Sequence, residues 1–512
     1  MKRADIILTA PKTEMSEHHE REFLGFGACT PVNVLPRWMI ELFFYPKVQV
    51  NEDGVAEAAP YGLRKIEAVL KRHGFDVVVV HPDYLPRYLK TAKVLGISAM
   101  DPLGLGPASA TFKFFFGDGH DPATAYEFKE MMSSACIREF KRRGGKIILG
   151  GPGSWQVVTL GMQDHFMIDT VVIGEAEEVA PELFQRALEG EELPRVVEAE
   201  SPEMSSIPTI VAPSVNGLVE VSRGCGRGCK FCSVALRARK DFPLDHILRE
   251  VDINARSGRD TVILHAEDVL QYGAVRLIPS EEKVLKLFRA VKERPGVRAV
   301  TVSHMAFSSV AAKPSLIRRI AETLELGYGE MKWMGVQMGI ETGSPRLIEK
   351  YMAGKAYPFK PSEWPEVVVH GYNVLAENKI VPACTLIIGL PGETEDDIIK
   401  TIELVDRVFD LPGLIVPLIF VPMHGIPLSK HPMLGSRDEL PDVYFELGVR
   451  TLEYDLKWTK WIFPHYTRHM RYAKLVVRGL MWLFIKSVEF KLRRSDVYRR
   501  VKEKRTVKVA DG

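Results

Sequence analysis

Leu218-Val219-Glu220-Val221-Ser222-Arg223-Gly224-Cys225-Gly226-Arg227-Gly228-Cys229-Lys230-Phe231-Cys232 is the stretch on which the reading of this chain turns. Leu218–Ser222 has the short apolar pattern of a buried strand, and a glycine-rich loop with Cys-x3-Cys-x2-Cys spacing follows at once. Three glycines allow the loop to wrap an object the size of a cubane with its sulfurs turned inward. A structural zinc site takes four protein ligands, and this loop offers no histidine and no fourth cysteine, so a zinc knuckle needs a distant ligand. A [4Fe–4S] cluster on Cys225, Cys229 and Cys232 would leave one iron open to bind something else. Arg223, Arg227 and Lys230 would offset its negative charge. Half of the six cysteines fall within eight residues, which excludes a disulfide scaffold at this length. Cys29, Cys136 and Cys384 have no cysteine neighbour and read as core residues, although Cys384 lies on a predicted strand that could face the site.

Downstream of this loop, strands and helices alternate to about Phe420. Thr261–His265, Val297–His304, Gly335–Ile340, Pro382–Gly389 and Leu414–Phe420 read as strands, so with Leu218–Ser222 there are six βα units, the content of a partial parallel barrel. Chemistry in such barrels sits after each strand. There the chain places His265-Ala266-Glu267-Asp268, Ser303-His304, Gly339-Ile340-Glu341-Thr342-Gly343-Ser344-Pro345-Arg346, and Ile387-Ile388-Gly389-Leu390-Pro391-Gly392-Glu393-Thr394. The fourth run continues as Leu347-Ile348-Glu349-Lys350-Tyr351-Met352 and then Gly354-Lys355.

Upstream, Ile6–Leu8, Val77–Val80, Val94–Ser98, Lys146–Leu149 and Thr170–Ile173 read as strands, with Tyr61–His73 and a single long helix Ala123–Arg143 among them. This is a doubly wound, Rossmann-like α/β domain, which binds ligands at the carboxyl ends of its strands. Those ends carry Ser98-Ala99-Met100-Asp101, Gly150-Gly151-Pro152-Gly153-Ser154 and Gly174-Glu175-Ala176-Glu177, where glycines would let the backbone approach a bulky group. Pro194–Pro213 is rich in Pro, Ser and Glu and reads as a linker. The expected organisation is therefore 1–200 Rossmann-like, 201–430 barrel and 431–512 mostly helical.

The cysteine loop after the first strand of a parallel partial barrel resembles the radical S-adenosylmethionine (SAM) enzymes. The strand-end runs, together with Pro60-Tyr61-Gly62-Leu63, Gly150-Gly151-Pro152 and Gly174-Glu175-Ala176-Glu177, are similar to the branch fused to a cobalamin-binding domain, the class B methyltransferase-like proteins, archaeal members among them. The similarity spans residues 1–430 and is weakest between Ala10 and Ala59. It implies a [4Fe–4S] cluster on the three cysteines, with SAM chelated by the open iron and touched by Phe231, Glu267, Asp268, Ser303, Glu341 and Gly389. It also implies cobalamin against Ser98, Met100, Asp101, Gly150, Gly151, Pro152, Gly174 and Glu175. The branch's cobalt-histidine motif, Asp-x-His-x-x-Gly after the first strand, is missing; Asp118-Gly119-His120 lies elsewhere and lacks the glycine. A cobalt without a histidine ligand is expected, and loss of cobalamin binding is the other reading.

The implied activity is C-methylation of an unactivated sp3 carbon, with one SAM replenishing methylcobalamin and another generating the radical. The peptidyl residues of methyl-coenzyme M reductase exemplify the substrate. Modification or cyclisation of an isoprenoid membrane lipid is the alternative, and a cluster protein without catalysis is a third. An external electron donor, ferredoxin or flavodoxin, is implied.

The chain has 512 residues, 68 Lys+Arg and 66 Asp+Glu, so its net charge of +2 gives no whole-chain field for nucleic acid, and no nucleic-acid partner is expected. No apolar run reaches the 18 or so residues of a membrane span, and the N-terminus reads as a strand, so a cytoplasmic location, peripheral to the membrane at most, is expected. The neutral total hides a local excess. Leu480-Met481-Trp482-Leu483-Phe484-Ile485 sits among Arg468, Arg471, Lys474, Arg478, Lys486, Lys491, Arg493, Arg494, Arg499 and Arg500. Such a segment either packs its apolar side on the barrel or docks a substrate protein or lipid near Trp461–Arg500.

Overall fold

The computed structural model describes every residue except 1–2, 19–21, 35, 118, 437–438, 467–472, 495–497 and 500–512. The chain forms two compact units. One comprises Met1–Arg223, Lys240–Ala266 and Arg289–Thr301; the other comprises Gly224–Arg239, Glu267–Phe288 and Val302–Gly512.

In the first unit, β1 (Ile6–Thr9), β2 (Val77–Val79), β3 (Val94–Ser98), β4 (Lys146–Gly150), β5 (Thr170–Gly174) and β6 (Val196–Ala199) form a parallel sheet in the order β2-β1-β3-β4-β5-β6. Strand alternation divides its side chains between two cores. Ile7, Val78, Leu95, Ile147 and Leu149 pack with Phe128, Ile137 and Phe140, while Ile6, Leu8, Val77, Val94 and Ile148 pack with Leu63, Leu70 and Phe184. Helices thus cover both faces, as a doubly wound domain requires. The order reverses between β1 and β3, and such a reversal opens a crevice at the strands' carboxyl ends.

Two expectations are corrected here. The single helix Ala123–Arg143 is two helices, Ala123–Met132 and Ala135–Arg142, because Ser134 turns extended (φ −68°, ψ 152°). Paired serines compete with the helix for backbone bonds, and the break lets Phe128 and Phe140 enter one core. The stretch Pro194–Pro213 is not a free linker: it contributes β6, buries Ile207 and Ile210, and is pinned by Lys65 Nζ to Pro208 O (2.9 Å) and Arg64 Nε to Pro213 O (2.9 Å).

All six expected barrel strands form, in two three-stranded sheets: β7 (Leu218–Glu220), β10 (Thr261–His265) and β11 (Ala299–Val302) in the order β11-β10-β7, and β12 (Met334–Glu341), β13 (Ile380–Ile388) and β14 (Leu414–Ile419) in the order β12-β13-β14. The first strand is shorter than expected. After Val221 the chain leaves it for a two-residue antiparallel pairing of β8 (Ser222–Arg223) with β9 (Lys240–Asp241), which brackets the cysteine loop.

The two faces of β12-β13-β14 differ. Val336, Met338 and Ile340, with Cys384, Leu386 and Ile388, are closed beneath helices. The opposite rows, Gln337–Ala383–Leu414 and Gly339–Thr385–Val416, are only half-buried. A parallel sheet packed on both faces would close both rows, so the half-open face is the interior, covered at its Leu414 end by packing with Trp333, Val381 and Ile462. Cys384 lies on the closed face, its sulfur 3.0 Å from the Tyr372 hydroxyl on the helix Trp364–Glu377, and does not face that interior.

The C-terminal region forms two helices, Asp442–Tyr466 and Ala473–Arg494. Lys460 pairs with Glu489 between them, and Arg478 Nη2 donates to Pro464 O (2.7 Å). Ile485 is buried, but Leu475, Trp482, Leu483 and Phe490 are exposed, so apolar residues as well as charges face outward. Arg468, Arg471, Arg500 and Asp118 lie outside the described residues, as do the side chains of Lys474 and Lys491. No described helix is long and apolar enough to cross a membrane.

Candidate functional site

The cysteine loop, residues 224–239, belongs to the second unit. Gly224, Gly226 and Gly228 all adopt positive φ (76°, 72° and 71°), which turns the backbone on both sides of Cys225 and just before Cys229. Cys225 N and Gly226 N donate to Arg237 O (3.2 and 2.9 Å), Gly228 N to Ala235 O (2.9 Å), and Lys230 N to Tyr351 O (2.9 Å). The loop is thereby stapled to its own return segment and to the helix Pro345–Ala356. Backbone amides also reach the sulfurs: Cys225 accepts from Arg227, and Cys232 from Ala235 and Val234.

Cys229 is buried and the other two are half-buried. Burial raises all three thiols, Cys229 to about 12, with Lys355 acting in the opposite sense on Cys229 and Arg227 on Cys225. Among the described residues no group of three or more His, Cys, Asp or Glu side chains is placed to hold a single metal ion. Each thiolate on a cubane binds its own iron, so the three need not converge on one point. Soft thiol donors, amide bonds to sulfur and nearby cations suit an iron–sulfur cluster.

Strand-end residues close around this loop. Arg227 Nη2 lies 2.8 Å from Asp268 Oδ2, and its guanidinium also donates to Ser308 Oγ and Ser309 Oγ (3.0 Å each) and Gly354 O (3.1 Å). Ser309 Oγ donates to the same Asp268 oxygen (2.7 Å). Asp268 Oδ1 is buried with no hydrogen-bond partner, an acceptor fixed in place and unused. Glu267 is half-buried and near enough to raise the Cys225 and Cys232 thiols.

Glu341 follows a β-bulge and holds φ +64°, which no other residue of β12 does. The bulge swings its carboxylate over Gly339, where it accepts from Lys355 Nζ (2.8 Å) and Thr385 Oγ1 (3.1 Å). Burial opposes the Lys355 charge, but Glu341 and Cys229 outweigh it and its pKa lies above the ordinary value. Gly389 N donates to Glu393 Oε2 (2.6 Å), to which Tyr444 OH also donates (3.0 Å); burial raises this carboxyl to about 7. Ser303 is buried, and its carbonyl accepts from Gln337 N (2.9 Å). Phe231 is half-buried beside the cysteines.

Glu267, Asp268 and Glu341 thus meet the cysteine loop in one unit. The sequence reading assigned no role to Lys355, Ser308 or Ser309. Lys355 follows a kink at Met352 (φ −154°, ψ 39°) in the helix Pro345–Ala356, which no local pattern announces. Gly354 marks a close approach, since a Cβ there would meet Arg227 O at 2.0 Å. Gly354→Ala is expected to displace the loop and to cut iron incorporation on reconstitution several-fold, measured as iron per chain; wild-type incorporation would refute this.

In the first unit the other candidate residues lie along the carboxyl edge of β3, β4 and β5. Asp101 Oδ1 accepts from Gly106 N (2.8 Å) and Gln156 Nε2 (2.7 Å), so this carboxylate shapes its own loop. Met100 is exposed, and its N–H donates to Glu14 Oε1 (2.7 Å), a carboxyl that burial raises to about 8. Gly151, at φ +94°, has Ala99 N where a Cβ would come within 2.6 Å, and Ala199 O stands 2.1 Å from a Cβ at Gly174. These glycines admit neighbouring backbone of the sheet edge, whereas Gly150 has open space above it. Ser98 Oγ also lies against Gly151, and Pro152 continues that loop. Glu175 and Glu177 both pair with Arg223 Nη1 (2.9 and 2.8 Å), and Glu220 completes the clamp (2.8 Å). Arg223 is therefore neutralised by carboxylates.

A parallel βα array whose first strand leads into three cysteine thiols, with carboxylates at its later strand ends, defines a cluster-binding α/β class. Residues 219–405 match the Radical SAM superfamily, and the chain carries a radical SAM domain there. Similar proteins include a tRNA-2-methylthio-N(6)-dimethylallyladenosine synthase of Magnetococcus marinus (26% identity over 44% of this chain and 49% of the relative) and a threonylcarbamoyladenosine tRNA methylthiotransferase of Aquifex aeolicus (24% over 63% and 74%). The chain spans about half the length of the first of these. Among solved structures, the radical SAM methyltransferase TsrM of Kitasatospora setae, with cobalamin and a [4Fe–4S] cluster bound, shares the fold at TM-score 0.54 and 16% identity, over 83% of this chain and 77% of that one.

Proposed function

We propose that this chain is a cobalamin-dependent radical SAM enzyme that C-methylates an unactivated sp3 carbon. The observation that carries this is the buried, amide-bonded thiol loop beside an unpartnered Asp268 oxygen, in a domain that matches the superfamily. When bound, the cluster and SAM supply hydrogen-atom abstraction and cobalamin supplies a transferable methyl group.

Cys225, Cys229 and Cys232 would hold the cluster. Asp268 Oδ1 and Glu267 offer acceptors for the SAM ammonium, Phe231 a face for the adenine, and Ser303, Glu341 and Gly389 the remaining polar wall. Lys355 holds the Glu341 carboxylate in place, and the half-open face of β12-β13-β14 would take the substrate. Cobalamin would lie on the edge formed by Ser98, Met100, Asp101, Gly150, Gly151, Pro152, Gly174 and Glu175, with Asp101 and Glu175 contributing backbone, their carboxylates being occupied. This assigns 1–200 to cobalamin, 201–430 to the radical chemistry and 431–512 to the substrate.

Anaerobic reconstitution with iron, sulfide and hydroxocobalamin tests the assignment. Changing all three cysteines to Ala should remove the cluster absorption and leave the corrinoid band; persistence of both bands would overturn it. A peptidyl substrate should gain one CH2 in mass. A gain of CH2 plus sulfur would place the chain with its methylthiotransferase relatives instead. The exposed apolar residues of Ala473–Arg494, beside exposed Lys486, Arg493 and Arg494, favour a second reading, modification or cyclisation of an isoprenoid lipid by a peripherally bound enzyme. Loss of hydrogen without gain of carbon would select it.

A further inference from the structure

Ser308 and Ser309 lie at the start of the helix Phe307–Ala312, both fully buried, where a hydroxyl without partners would be costly. Ser309 uses its whole bonding capacity. Its oxygen accepts from Arg227 Nη2 (3.0 Å) and Gln271 Nε2 (2.8 Å), which fills both lone pairs, so its single proton has one destination, Asp268 Oδ2 (2.7 Å). Gln271 is fixed in turn, because its amide nitrogen also donates to Leu277 O (2.8 Å), a carbonyl that can only accept. The direction of the Ser309 O–H bond therefore follows by elimination.

Arg227, between Cys225 and Cys229, shows the opposite condition. Its Nη1 is taken up by Ser308 Oγ and the carbonyls of Gly354 and Lys355, and its Nη2 by Asp268 Oδ2 (2.8 Å) and Ser309 Oγ. Its Nε–H is buried and has no hydrogen-bond partner, and Asp268 Oδ1 is buried and has none either. A guanidinium and a carboxylate in contact commonly close a two-bonded fork, with Nε and Nη2 each donating to one oxygen. Here one tine of that fork is made and the other is not, although donor and acceptor sit on side chains already joined. Such a pair of unsatisfied buried groups calls for a cause. Burial raises the Cys225 thiol, Arg227 opposes that rise and Asp268 adds to it, so both charges act at the cysteine loop.

We propose that Ser309 is a positioning residue that holds Asp268 out of the closed fork and so keeps Oδ1 for the ammonium group of SAM, a proposal resting on the radical SAM reading above. The carboxylate has two arrangements. In the held one, the Ser309 proton fixes Oδ2 and Oδ1 is offered to a ligand cation; in the closed one, both oxygens lie on Arg227. Without the Ser309 hydroxyl the held arrangement loses its donor, while the closed one gains the bond from Nε to Oδ1 and becomes the ground state. A ligand ammonium must then break that bond before it can bind.

The test titrates the reconstituted full-length enzyme calorimetrically with SAM and with 5′-methylthioadenosine, which keeps the adenosine and lacks the ammonium. Ser309→Ala is expected to weaken SAM about tenfold, the size of one hydrogen bond to a charged group, and to leave methylthioadenosine binding and iron per chain at wild-type values. SAM cleavage should show the same split, with KM raised about tenfold and kcat retained at saturating SAM. Ser308→Ala removes an equally buried hydroxyl from the same guanidinium without touching Asp268, so the ratio of the two affinities should stay that of wild type. Unchanged SAM affinity in Ser309→Ala would overturn the proposal. So would an equal weakening of both ligands, which would make Ser309 merely structural. A wild type that takes up no iron, or that binds SAM no better than methylthioadenosine, would instead overturn the radical SAM reading beneath it.

Discussion

Cys229→Ala alone is expected to abolish the visible absorption of the reconstituted cluster and to reduce SAM cleavage by more than the roughly 10–100-fold that loss of an outer-shell partner costs a metal site. The reason lies in where this thiol sits. Cys229 is buried, its pKa is raised to about 12, and Lys355 is the cation whose field works against that rise. Water cannot easily replace a ligand at such a position, whereas Cys225 and Cys232 are half-buried. Lys355→Met offers the graded comparison. It touches the site through Glu341 and through its field at Cys229 and Cys232, with no sulfur ligand of its own, so its loss should fall within the outer-shell range and shift the cluster's reduction potential. The metal-free Cys229→Ala protein should melt within about 2–4 °C of wild type, as a change near 1 kcal/mol gives in a domain of this size. Iron content and absorption unchanged from wild type would sink the assignment of Cys229 as a ligand.

The cysteine loop and the polar strand ends were legible because parallel α/β folds place chemistry directly after strands, and a linear motif survives there intact. The alternation of Gly335, Gln337 and Gly339 with Val336, Met338 and Ile340 matches the half-open and closed faces of this strand, a pattern the sequence reading did not use. Pairings across the fold were not legible. Asp268 meets Arg227 from 41 residues away, and Glu341 meets Lys355 across a bulge that no local pattern announces. The glycines at Gly151 and Gly174 carry two requirements that one sequence signature does not separate: each admits neighbouring backbone of the sheet edge, and a glycine that admits a cofactor reads the same way. The strand β6 was hidden by a Pro- and Glu-rich context, since none of the four residues of this edge strand is fully buried.

Lys65→Met is expected to destabilise the first unit by about 3–5 kcal/mol, the cost of leaving one buried ion without its partner. Amphipathic spacing in the helix Tyr61–Arg72 assigns Leu63, Ile66, Val69 and Leu70 to the core, yet Lys65 is also fully buried. Its ammonium lies 2.6 Å from Glu250 Oε1, donates to Pro208 O (2.9 Å), and stacks 5.0 Å above the Phe242 ring. Glu250 in turn accepts from Tyr61 OH (2.7 Å) and Ile210 N (2.9 Å). Burial acts to raise the Glu250 pKa, but His246, Lys65 and Tyr61 outweigh it and hold it below the ordinary value. Stability from this carboxylate is therefore present above its unfolded pKa and lost as pH falls through the lower folded one. Without Lys65 the balance reverses, the carboxyl prefers its neutral form, and the deficit relative to wild type should narrow from pH 7 towards pH 4. Lys65→Met with Glu250→Leu removes both charges and should recover most of the loss, because no uncompensated ion is left. Urea unfolding at both pH values decides it: a double variant as unstable as the single, or a deficit independent of pH, would show that Lys65 stabilises through its methylene packing instead of its charge.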